Sequence, residues 1–207
     1  MSRAKGRLLV ISAPSGTGKS TVCRELRARC PDMVVSISCT TRKPRGQERD
    51  GVEYHFVDDQ TFDRMIEEQA FLEWAPVHGA RYGTGRRATE DLLAQGKDIL
   101  LDIDVQGGLQ IKKQFPDAKL IFLLPPSIDV LVKRLTGRGT ESEEAMRKRL
   151  QAAVRELEEG FSYDFHVIND SLGEAVSAVE RLREGTQCQN TTFLEALLTD
   201  ARAKFVG

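Results

Sequence analysis

The chain has 207 residues, 40% of them apolar and 29% charged, which is the composition of a folded globular protein with a substantial core. Its 30 basic and 31 acidic residues leave a net charge of -1, so no overall basic excess points to nucleic acid. No apolar run approaches the ~20 residues that cross a bilayer, and the basic stretch 1–7 precedes too short an apolar run for a secretory signal. The expectation is a cytoplasmic protein without nucleic-acid or membrane partners.

Residues 8–12 are apolar and read as a strand. They run into Ala13-Pro14-Ser15-Gly16-Thr17-Gly18-Lys19-Ser20, and the spacing of Val22, Cys23, Leu26 and Cys30 predicts a helix over 20–29. Strand, glycine-rich turn and helix start are the order a phosphate-binding loop requires. Backbone N–H groups from Ser15 to Thr21 can surround a polyphosphate, which the helix dipole also favours. Lys19 adds a full charge, and the Ser20 hydroxyl can ligate the magnesium that travels with a nucleotide triphosphate. Ala13 departs from the pattern, standing where the first glycine is usual and disfavouring positive φ.

A strand is predicted over 33–38. The next fifty residues, about 37–86, are polar and rich in Arg and Gly, with an extended piece at 52–57 and a helix near 61–69. They read as an insertion with its own small sheet. Within it, Arg42, Lys43 and Arg45 gather around Pro44, and the planar guanidinium fork suits a phosphate ester. A second phosphate site beside a triphosphate loop is what a phosphoryl acceptor needs. Glu48, with Ser38, Tyr54, Glu73 and Tyr82, could read a base: a carboxylate accepts guanine's adjacent N1–H and amino donors side by side. Adenine lacks that pair and would leave the carboxylate unsatisfied, a discrimination that can reach ~10⁴-fold.

Helix 86–95 and strand 99–103 follow, the latter ending in Asp102-Ile103-Asp104. Alternation puts these two carboxylates on one face, roughly 7 Å apart, at the strand end where ligands of parallel α/β sheets bind. They are expected to orient the acceptor or magnesium-bound water. Strand 120–124, helices 128–135 and 143–158, strand 165–168 and helix 172–183 complete the alternation, which implies a parallel sheet flanked by helices. Residues 127–159 form a second, mostly helical excursion carrying Arg134, Arg138 and Arg149. Arg138, between Gly137 and Gly139, is suited to close over a transferring phosphoryl group, where an arginine can contribute ~10³–10⁵ in rate. Thr192-x-x-Glu195 is read as a capping box opening a tail helix. Four cysteines and three histidines have no metal-ligand spacing, Cys23 and Cys30 fit a buried structural role, and the sequon at Asn190 is read as a chance match.

Taken together, the segments 15–20, 40–45, 73–75, 101–107 and 137–140 resemble the guanylate kinases, over residues 7–183. The resemblance implies an α/β fold: a P-loop three-layer sandwich with a parallel core sheet, a small α+β GMP-binding insertion and a helical lid. The expected boundaries are 1–36, 87–126 and 160–185 for the core, 37–86 for the insertion, 127–159 for the lid and 186–207 for a helical tail. It implies magnesium-dependent transfer of the ATP γ-phosphoryl group to GMP, and to dGMP, by a monomer or homodimer. Carried over position by position, Ser38, Arg42, Arg45, Tyr54 and Tyr82 match contacts to the GMP phosphate. Glu48 and Asp104 match guanine contacts, supported by Glu73 and Thr84. Lys19, Arg134, Arg138 and Arg149 match groups around the ATP phosphates, and Asn169 an adenine-side contact. A non-catalytic interaction module and a kinase for another monophosphate are the rival readings.

Overall fold

A computed structural model of the chain describes residues 5–77, 79–136, 143–186 and 190–205. In chain order its elements are β1 (Leu8–Ser12), α1 (Lys19–Arg29), β2 (Val34–Val35), β3 (Cys39–Thr40), β4 (His55–Phe56), α2 (Asp59–Glu67), β5 (Phe71–Val77), β6 (Ala80–Gly85) and α3 (Arg86–Ala94). They continue with β7 (Ile99–Asp102), α4 (Val105–Gln114), β8 (Lys119–Leu124), α5 (Ile128–Thr136), α6 (Glu143–Gly160), β9 (Phe165–Ile168), α7 (Leu172–Glu184) and α8 (Thr191–Phe205). One sheet has the order β2-β7-β1-β8-β9 and a second the order β4-β3-β6-β5. In the five-stranded sheet the β2–β7 and β8–β9 pairs are parallel. Every residue of β1, and Leu120 to Leu124 of β8, is buried, as in strands covered on both faces.

The chain divides into two compact units. One comprises the described residues up to Val10 together with Cys30–Ala118; the other comprises Ile11–Arg29 and the described residues from Lys119 onward. In the first, β3 pairs in parallel with β4 and antiparallel with β6, which pairs antiparallel with β5. Cys39, Phe62 and Phe71 form the core of this insertion, with Val57, Met65 and Ile66 packed around it. Arg81 stacks on the Phe62 ring at 4.7 Å and pairs with Asp59 and Asp63, clasping α2 to β6. Asp58 caps α2 by accepting from the Thr61 N–H at 2.7 Å.

In the second unit, the apolar face of α8 (Leu194, Leu197, Leu198 and Ala201) is buried against α6 and α5. The tail is therefore part of the hydrophobic structure of its unit. The expected capping box is shifted: α8 begins at Thr191, and Asn190 precedes it, its carbonyl accepting from the Leu194 N–H and its side chain donating to the His166 carbonyl at 2.8 Å. Helix α7 stops where Gly185 turns left-handed at φ 113°, a conformation only glycine adopts cheaply. Two short strands also correct the expectation. The pieces predicted at 33–38 and 52–57 contract to Val34–Val35 and His55–Phe56. Cys23, Cys30 and Cys39 are buried free thiols.

Candidate functional site

In the second unit, the segment joining β1 to α1 is shaped by two left-handed glycines, Gly16 at φ 88° and Gly18 at φ 98°. Gln69 is the only described non-glycine residue at positive φ, so Ala13 has ordinary backbone and asks for no glycine. Side-chain room is also short at the two glycines. A Cβ at Gly16 would meet Leu135 at 2.8 Å, and one at Gly18 would meet the Asn169 amide nitrogen at 2.7 Å. The loop opens into a cleft of about 560 Å³ lined by Ser15, Lys19, Ser20, Thr21, Arg134 and Asn169, among others. No acidic residue stands in the first turn of α1, and Arg27 and Arg29 end it, so the helix field favours an anion at this end.

Arg134 and Asn169, two of the residues expected around ATP, both reach the backbone of the loop. The buried Asn169 amide donates to the Thr17 carbonyl at 2.7 Å, and Arg134 Nη1 donates to the same oxygen at 3.1 Å. Thr17 is fully buried, so this carbonyl depends on protein donors. From α6, Arg149 Nη2 donates to the Ser15 hydroxyl at 3.0 Å, and Glu156 accepts from the Ser15 N–H at 3.3 Å. Glu156 was not foreseen from sequence, although it lies seven residues after Arg149, two turns on along the same face. Arg138 lies outside the described residues.

In the first unit, the side chains around Arg42 form one assembly. Its guanidinium makes a bidentate pair with Glu48, at 2.8 and 3.0 Å, and its Nε donates to the Tyr82 hydroxyl at 3.1 Å. The guanidinium also lies 5.3 Å from the Tyr54 ring centre and 5.8 Å from that of Phe56, with Tyr54 edge-on to Tyr82 at 5.8 Å. A turn from Arg45 to Glu48, with Gly46 left-handed at φ 57°, brings the Arg45 N–H to the Glu48 carboxylate at 2.8 Å. Hydrogen bonding to Arg42, then to the Arg45 N–H, holds Glu48 below the usual carboxylate range, and Glu48 in turn pushes Arg42 further up. Glu48 is expected from the sequence to help read a base; in the structure Arg42 engages both of its oxygens. Arg45, Glu48 and Arg49 line a surface hollow of about 580 Å³. Ser38 is half-buried, its carbonyl accepting from the His55 N–H at 2.9 Å.

Glu73 and Thr84 lie opposite each other on β5 and β6, both buried, with the Thr84 hydroxyl donating to the Glu73 carboxylate. Strand β7 ends at the half-buried Asp102, one residue before the predicted end. Asp104 is the N-cap of α4, its carboxylate accepting from the Gly107 N–H at 2.9 Å. Cap geometry thus replaces the strand alternation expected of Asp102 and Asp104. Among the described residues, no group of three or more His, Cys, Asp or Glu side chains could hold a metal ion.

A family model described as guanylate kinase matches residues 5–185. A guanylate kinase of Thermobifida fusca is 52% identical over 168 residues, covering 81% of this chain and 86% of that protein. One from Carboxydothermus hydrogenoformans is 47% identical over 176 residues, covering 85% and 86%. Among solved structures, a guanylate kinase from Anaplasma phagocytophilum aligns with a TM-score of 0.73 at 30% identity, over 90% of this chain and 89% of that one.

Proposed function

The chain belongs to the guanylate kinase family, and from that premise we propose how its side chains carry the transfer of the ATP γ-phosphoryl group to GMP. The products are ADP and GDP. The observation that carries the assignment of roles is that one chain holds both a phosphate loop and a separate arginine-centred assembly built for a phosphate ester.

In the second unit, the loop N–H groups and the α1 N-terminus hold the donor phosphates, with Lys19 neutralising them and Arg149 adding charge from α6. Asn169 and Arg134 act through the Thr17 carbonyl, fixing the loop in its ligand-ready shape. Arg138 is proposed to close over the transferring group. The loop would suit a magnesium ion brought by the triphosphate and held by the Ser20 hydroxyl, while Asp102, in the first unit, is assigned to orienting the acceptor. When bound, that ion neutralises the β- and γ-phosphate oxygens.

In the first unit, Arg42 and Arg45 hold the GMP phosphate, together with Ser38 and the hydroxyls of Tyr54 and Tyr82. Glu48 is the anchor that aims the Arg42 guanidinium. Base reading falls to the buried Glu73, whose carboxylate Thr84 orients, with Asp104 at the edge of the pocket. A desolvated carboxylate rejects a base without paired donors far more strongly than an exposed one. The acceptor is already an anion, so no strong general base is required, and rate comes from positioning and charge neutralisation. The interaction-module alternative is not favoured: the relatives that match most of the chain carry enzyme names, and the loop retains Lys19 and Ser20. The cytoplasm, where both nucleotides are available, is the proposed compartment; no helix among the described residues is long and apolar enough to cross a membrane.

Replacing Arg42 with Met tests the assignment. Turnover with GMP should fall by about a hundredfold or more, while ATP affinity stays at the wild-type value. Near-normal turnover would overturn the acceptor role.

A further inference from the structure

Strand β5 carries Glu73 and stands at the edge of the four-stranded sheet. An edge strand presents backbone N–H and C=O groups that need partners. Here α4 supplies them. Gln110 accepts from the Trp74 N–H at 3.2 Å and donates to the Trp74 carbonyl at 2.9 Å, while Gln114 donates to the Leu72 carbonyl. The backbone on both sides of Glu73 is therefore tied to one helix. Gln110 and Gln114 are one turn apart, and Gly107 lies three residues earlier on the same face.

At Gly107 the helix passes directly against the Glu73 side chain. A Cβ there would overlap one carboxylate oxygen, and would stand 3.1 Å from the carboxylate carbon and 3.4 Å from Ile103 Cδ1. Gly107 is not among the glycines at positive φ. Its backbone would accept any residue, and glycine, here in the first turn of α4, favours a helix less than alanine does. What glycine provides at this position is room for the carboxylate.

We propose that Gly107 and Gln110 are positioning residues that set where the Glu73 carboxylate stands, and thereby determine the preference for guanine. This rests on Glu73 being the base reader. The atom an added methyl would strike is the far end of a flexible side chain, so the carboxylate moves and the fold does not. Gly107 thus selects for base recognition at a cost to helix propensity.

The test measures steady-state kinetics and thermal melting for wild type, Gly107→Ala, Gln110→Met, Glu73→Gln, Glu73→Asp and the double variant Gly107→Ala/Glu73→Asp. Gly107→Ala should raise KM for GMP about ten- to a hundredfold, the effect of losing a well-aligned bond to a charged group. Its kcat, KM for ATP and melting temperature should stay near wild type. Gln110→Met should raise KM for GMP severalfold, again without changing KM for ATP. Adding Gly107→Ala to Glu73→Asp should have little further effect, because the shorter side chain no longer meets the methyl group. An unchanged KM for GMP in Gly107→Ala overturns the inference, as does equal loss for both substrates with a lowered melting temperature. An unchanged KM for GMP in Glu73→Gln instead overturns the base-reading role on which the inference rests.

Discussion

Replacing Asn169 with Ala separates a loop-holding role from a nucleotide-reading one. The buried amide donates to the Thr17 carbonyl at 2.7 Å, and Arg134 donates to that oxygen at 3.1 Å. In the variant the carbonyl keeps one donor, so the loss is that of a single net hydrogen bond, about 1 kcal/mol, and not the larger penalty of an orphaned buried group. If the whole loss falls on the loop's ligand-ready shape, ATP affinity drops about fivefold. The assay is the dissociation constant for ATP and for GTP offered as alternative donors, measured on wild type and variant. A residue acting through the loop weakens both triphosphates equally, because both present the same phosphates. A loss confined to ATP, with the GTP constant unchanged, would refute this reasoning and make Asn169 a direct adenine contact.

Two further outcomes follow from the same geometry. Ala13→Gly should leave kcat and KM for ATP unchanged and lower stability by about 0.5–1 kcal/mol through unfolded-state entropy, as read by denaturant melts; a gain in kcat would mean that Ala13 strains the loop. The depressed pKa of Glu48 fixes the sign of a pH effect. The stability its pair with Arg42 provides is whole above the unfolded value near 4.5 and is lost as pH falls through the lower folded value. The stability gap between wild type and Glu48→Gln should accordingly stay level from about pH 7 to 5 and narrow on further acidification; a gap that widens in acid would contradict the pairing.

The elements most legible in the sequence are those whose residues have one environment. β1 and β9 have the expected bounds, and β8 differs by one residue, because a run such as Leu120 to Leu124 is apolar throughout and is bounded by Lys119 and by Pro125, which cannot continue a ladder. Helices α3, α5, α6 and α7 end within two residues of their predicted limits, for the same reason applied to a 3.6-residue period. The insertion was harder to read. In β5 the buried positions are broken by exposed Trp74 and Pro76, and the strand holds its place through β6 on one side and two glutamines of α4 on the other. Neither partner is visible in local periodicity.

The site divides similarly. Ser15 to Ser20 and Arg42 to Glu48 are contiguous, so their chemistry is written in order along the chain. The internal partners are not: Glu156 on the Ser15 N–H, two donors on the Thr17 carbonyl and Gly107 beside Glu73 each join residues more than thirty positions apart. Sequence could name Glu48 as a carboxylate near two arginines, but not that Arg42 would engage both of its oxygens.

The most direct test of phosphoryl transfer to GMP is a coupled ADP-release assay of the full chain with ATP, magnesium and each of GMP, dGMP, AMP, CMP and UMP. Turnover should be highest with GMP and fall by about 10³-fold or more with AMP, CMP and UMP, because a buried carboxylate at Glu73 is left without its paired donors. Equal or greater turnover with AMP, or no turnover with any acceptor, would contradict it.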